Sequence, residues 1–122
     1  MRQPTPQRRR CDTFKRKVDG HKLFVNIGFY DDGRPCEIFV DYQRAGSDMN
    51  VLLGMFGMTA SVALQCGAEP RELISLWRAA TATSYAGTEP LTESYFSVIA
   101  DVMEEALEVP ALWPDQVAKE IL

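Results

Sequence analysis

Residues 13–42, TFKRKVDGHKLFVNIGFYDDGRPCEIFVDY, hold the pattern that decides the fold. Thr13 to Val18 alternates in character, and Asp19-Gly20 then supplies a pair suited to a tight hairpin turn. In the next segment Leu23, Val25, Ile27 and Phe29 fall on one face, and Lys22, Phe24, Asn26 and Tyr30 on the other. Asp31-Asp32-Gly33 marks a second turn. Glu37 to Tyr42 follows, with Ile38, Val40 and Tyr42 alternating against Glu37, Phe39 and Asp41. A period of two places alternate side chains on opposite faces of a strand, so three such segments joined by short turns predict an antiparallel meander. A single sheet of this kind must be covered on its apolar face.

Working outward, the residues after the sheet provide that cover. Gly46-Ser47-Asp48 offers a helix N-cap. Val51, Leu52, Met55, Phe56, Thr59, Val62, Ala63 and Cys66 then recur at helical spacing, and Gly67 follows as the C-terminal stop. Pro70 opens a second helix with Leu73, Ile74 and Trp77 on its apolar face. Residues 80–90 (ATATSYAGTEP) read as a loop. A third helix from about Pro90 to Glu108 carries Leu91, Tyr95, Val98, Ile99, Val102, Ala106 and Leu107 as its inner stripe. The expected fold class is α+β: a three-stranded antiparallel sheet packed by two to three helices over residues 11–109. Residues 1–10 are expected as a flexible basic arm, and 110–122 as a tail with at most one short helical turn.

The chain has 122 residues, 46% of them apolar and 25% charged, which suits one globular domain with a modest core. No run of about 20 apolar residues suggests a membrane span, and the arginine-rich N-terminus has no apolar h-region behind it. Cys11, Cys36 and Cys66 are odd in number and widely spaced, which fits reduced thiols in a cytoplasmic protein. The net charge of −4 conceals an asymmetry. Residues 1–22 hold eight of the 13 basic residues against Asp12 and Asp19, while the rest of the chain is strongly acidic.

Candidate chemistry is sparse. An activated cysteine wants an adjacent base or a helix N-terminus, and the lone His21 sits in a tight turn away from all three thiols. Asp101, Glu104, Glu105 and Glu108 share a helix face opposite the apolar stripe, as solvated carboxylates do. No catalytic, metal or cofactor site is therefore expected. Arg8, Arg9, Arg10, Lys15, Arg16 and Lys17 are a candidate polyanion-binding set, although the acidic body opposes it. Gly54 and Gly57 each cost a helix about 1 kcal/mol relative to alanine. With Ala60 and Ser61 they form a small-residue groove, so Gly54, Gly57 and Ser61 are candidates for close contact with a partner helix, or with the domain's own sheet.

Residues 20–74, GHKLFVNIGFYDDGRPCEIFVDYQRAGSDMNVLLGMFGMTASVALQCGAEPRELI, carry a resemblance. Gly20-His21-Lys22, Asp32-Gly33-Arg34, Glu37-Ile38-Phe39, Gly46 and the helix ending Ala63-Leu64-Gln65-Cys66-Gly67 occur in the order found in the TSCPD domain. That domain stands at the C-terminal end of adenosylcobalamin-dependent (class II) ribonucleotide reductases and in short stand-alone proteins. Tyr85-Ala86-Gly87, the third helix and the Arg8-Arg9-Arg10 run extend the similarity more weakly, over about residues 8 to 108. The chain departs from the family in lacking the TSCPD string and the terminal cysteine pair. The barrel, radical cysteine and cobalamin site of a whole reductase are also missing.

The resemblance thus implies a fold and a link to deoxyribonucleotide synthesis, and transfers no active-site residue. The expected function is a ribonucleotide-reductase-associated accessory or regulatory domain that binds a reductase catalytic subunit or another copy of itself. The alternative is a small nucleic-acid- or nucleotide-binding protein that uses its arginine arm.

Overall fold

The computed structural model describes residues 1–44, 48–82 and 95–108. Strands β1 (Cys11–Val18), β2 (His21–Phe29) and β3 (Pro35–Tyr42) form one antiparallel sheet in the order β1-β2-β3, the expected meander. Asp19 (φ 51°) and Gly20 (φ 77°) both take the left-handed backbone that a two-residue hairpin turn needs to match the twist of its strands. At the second turn Gly33 donates to the Tyr30 carbonyl at 2.9 Å, and the Asp32 carboxylate accepts from the Arg34 amide at 3.0 Å. Leu23, Val25, Ile27 and Phe29 are buried on one face with Ile38, Val40 and Tyr42, as the alternation predicts.

Three helices follow: α1 (Asp48–Gln65), α2 (Pro70–Ala82) and α3 (Tyr95–Glu108). α2 buries Ile74 and Trp77, and α3 encloses Ile99, Val102, Met103 and Ala106 against the same core. α2 continues through Ala82, into the stretch read as loop from its polar composition. The expected onset of the third helix near Pro90, the Gly46-Ser47 cap and the tail at 110–122 lie outside the described residues. Phe56 joins the helices, with its ring edge-on to Trp77 (centroids 5.3 Å apart) and Phe96 (5.1 Å). α1 ends as expected at Gly67 (φ 100°), where the Ala68 and Gly67 amides donate back to the Ala63 and Leu64 carbonyls at 3.0 and 3.1 Å.

The inward face of α1 corrects the sequence reading. Val51, Leu52, Met55 and Val62, expected beneath the sheet, are exposed, and so are Thr59 and Cys66. Leu53, Gly57, Ala60, Ser61, Leu64 and Gln65 point inward instead. The helix is apolar on nearly every side, so spacing alone offers two stripes. The small residues select the one that goes inside, because α1 must approach backbone rather than side chains.

That backbone is the outer edge of β3. Ser61 Oγ accepts from the Ile38 amide and donates toward the Ile38 carbonyl, each at 2.9 Å, with the Gly57 carbonyl also within reach at 2.8 Å. Gln65 Nε2 donates to the Cys36 carbonyl at 3.0 Å, and Asn50 Oδ1 accepts from the Tyr42 amide at 2.9 Å. A side chain at Gly57 would place its Cβ 3.0 Å from the Ile38 carbonyl oxygen and 3.3 Å from the Val40 nitrogen. The match is also one of length. The fifteen steps from Asn50 to Gln65 rise about 22 Å along a helix, and the six from Tyr42 back to Cys36 span about 20 Å along a strand. α1 therefore runs antiparallel to β3 and satisfies with side chains an edge that would otherwise invite another strand.

Candidate functional site

Residues 2–10, expected as a flexible arm, lie against the body. The Gln3 amide donates to the Gln65 carbonyl (2.8 Å), and Tyr30 Oη donates to the Gln3 carbonyl (2.9 Å). Arg2 Nε donates to Gln65 Oε1 (2.5 Å), and the Arg10 carbonyl accepts from the Phe29 amide (3.0 Å). The anchor is Arg9, whose Nε and Nη2 reach the two carboxylate oxygens of Glu37 at 2.5 and 3.0 Å. This two-pronged pair holds the guanidinium in its charged form more strongly than usual.

Glu37 itself is buried on the sheet face opposite the core. It lies over Gly28, where an added Cβ would sit 2.5 Å from Glu37 Oε1. Alternation placed Glu37 correctly off the core face but gave no hint that the N-terminal segment covers it. The available signal was Gly28 within a strand, a mark of close approach by another group.

The six candidate polyanion-binding cations do not form one surface. Arg9 is bound to Glu37. Arg10 pairs with Asp12 at 3.1 Å and lies 3.9 Å over the Phe29 ring. Arg16 pairs with Glu105 of α3. Lys15 and Lys17 are exposed on the opposite face of β1 from Arg16, and Arg8 is exposed in the N-terminal segment. The carboxylates of α3 likewise meet arginine: Arg78 of α2 reaches Asp101 at 3.0 Å and also Glu104, whose carboxyl it holds below the usual range.

Of the candidate contact residues, Gly57 and Ser61 meet the sheet. Both are buried against β3, the contact with the domain's own sheet that the sequence left open beside a partner helix. Gly54 faces open space. Between the N-terminal segment and α1 lies an open groove of about 660 Å³, bordered by Arg2, Glu37, Phe39, Met58 and Val62. Phe39, Met58 and Val62 give it an apolar wall that runs onto the outer face of α1.

The thiols are placed separately. Cys11 and Cys66 are exposed and Cys36 is buried, with its pKa pushed up to about 11 by burial and by the neighbouring Glu37 carboxylate. Such a group is a thiol, not a thiolate, at neutral pH. Native protein treated with iodoacetamide at pH 8 is expected to take up two adducts, at Cys66 and Cys11. Cys36 should react only after denaturation, as read by intact mass. A third adduct forming at a similar rate in the folded protein would contradict this placement. Among the described residues no group of histidine, cysteine or carboxylate side chains is arranged to hold a metal ion. Nor is any described helix long and apolar enough to cross a membrane.

These features define a small α+β domain whose distinctive surface is apolar. The sequence profile of the TSCPD domain matches residues 2–107, and the chain belongs to that family. Its curated relatives are much longer proteins. A vitamin B12-dependent ribonucleotide reductase of Bradyrhizobium diazoefficiens is 39% identical over 66 residues, 54% of this chain and 5% of the reductase. Those of Rhodopirellula baltica and Agrobacterium fabrum are 36% and 34% identical over 73 residues, 60% of this chain and 7% and 6% of theirs. The chain thus aligns with less than a tenth of the length of each. No solved structure gives a significant match.

Proposed function

We propose that this domain serves a ribonucleotide reductase as an accessory or regulatory module, acting through protein contacts and carrying no catalytic site of its own. The observation behind this reading is the asymmetry of the match: over half of this chain aligns with a piece amounting to 5–7% of each reductase. The described residues pair no thiol with a base, and the buried Cys36 is held protonated.

Two measurements test the proposal. Tagged chain mixed with purified reductase from the same host is expected to retain the reductase on a column. The chain alone, given ribonucleotide, adenosylcobalamin and a dithiol, is expected to produce no deoxyribonucleotide. Failure to retain the reductase, or turnover by the chain alone, would overturn the reading.

A further inference from the structure

The outer face of α1 has a symmetry of its own. Val51, Met55, Met58 and Val62 are 39% to 67% exposed and follow one another at spacings of four, three and four. That is the spacing of a helix–helix seam, in which apolar side chains recur every 3.5 residues and stay aligned with a neighbouring helix. The series Val-Met-Met-Val also reads the same in both directions. A second α1 laid antiparallel therefore presents the same seam, with Val51 opposite Val62 and Met55 opposite Met58, twice over. This is the self-complementarity that a two-fold interface requires.

Three further observations point to the same occupant. No charged residue occurs from Met49 to Ala68, so two copies meet there without the repulsion that the acidic remainder of the body would impose. Gly54 sits beside the seam with open space over its Cβ position, which permits close approach of a second helix. Leu52 (61% exposed) flanks the seam, and Phe39 (46%) adjoins Met58 and Val62 in the groove. Together these six side chains expose roughly 600 Å², the upper end of what a monomer's largest apolar patch presents. Two copies closing fully on it would cover up to about 1,200 Å², where stable specific interfaces begin.

We propose that the chain forms a two-fold homodimer through antiparallel packing of the Val51–Met55–Met58–Val62 seam of α1. This inference stands independently of the reductase reading. The test is sedimentation equilibrium of the full chain from about 5 to 500 µM. Wild type is expected to be dimeric at the upper concentrations. Met55→Glu and Met58→Lys, both at exposed positions, should each be monomeric with unchanged far-ultraviolet spectra. The Met55→Glu/Met58→Lys double variant puts opposite charges across the axis at two places and should recover dimer. Wild type that stays monomeric at 500 µM would overturn the proposal, as would a dimer untouched by Met55→Glu or a double variant no better than the single ones. A monomer that still retains the reductase would refute the dimer and leave the accessory function standing.

Discussion

Replacing Gly57 by leucine is expected to leave the chain largely unfolded. Any side chain there begins with a Cβ 3.0 Å from the Ile38 carbonyl oxygen and 3.5 Å from Phe39 Cα, and those neighbours are sheet backbone that cannot rotate away. Overpacking of this kind typically costs about 1–3 kcal/mol. Here it also lifts α1 from the β3 edge, and each buried backbone group that loses its partner adds about 1–3 kcal/mol. A total above about 4 kcal/mol removes most of the stability a domain of this size possesses. Urea denaturation followed by circular dichroism is the measurement. Gly54→Ala is the control three residues earlier on the same helix. Its Cβ meets open space within the protomer, so at concentrations where the chain is monomeric it should stabilise by about 0.5–1 kcal/mol through helix propensity. Two glycines of one helix should thus give opposite signs. A folded Gly57→Leu variant within 1 kcal/mol of wild type would mean that α1 is not seated on β3.

Ser61→Ala should carry the second largest penalty, about 2–4 kcal/mol. Its hydroxyl is the partner of both the Ile38 amide and the Ile38 carbonyl, and both are enclosed. Removing the hydroxyl leaves the Ile38 amide without its acceptor and takes away the proton that the Ile38 and Gly57 carbonyls share, and each buried group left unsatisfied costs about 1–3 kcal/mol. Thr59→Ala is the natural comparison, because that exposed hydroxyl only donates back to the Met55 carbonyl of its own helix at 3.0 Å. It should shift stability by less than about 0.5 kcal/mol. Equal midpoints for the two variants would count against side-chain capping of the strand edge.

The sheet was legible in the sequence because its signals are local. Alternation fixed which residues of β2 and β3 face the core, and Asp19-Gly20 fixed the first turn. α1 was legible as a helix but not in its orientation. Its exposed stripe is as apolar as its buried one, and only contact with the β3 backbone distinguishes Gly57, Ala60 and Ser61 as the inner set. The site was less readable still. The Arg9–Glu37 pair spans 28 residues, and no spacing rule reaches that far. The basic run was visible, but its division among Glu37, Asp12 and Glu105 depends on where strands and helices place those carboxylates.

The capped edge of β3 also sets how the domain opens. α1 keeps its own backbone ladder, and β3 keeps its bonds to β2, whether or not the two touch. Only the side chains of Asn50, Ser61 and Gln65 tie them by hydrogen bonds. The helix can therefore lift as a unit without melting and without unzipping the sheet. In terms of amide hydrogen exchange, Ile38 and Tyr42 report that lifting, while Gln43, whose amide is tied to the Lys22 carbonyl across β2, waits for the sheet itself. The molecule thus holds two grades of protection in β3 and the residue just past its end, set by the direction in which each amide points.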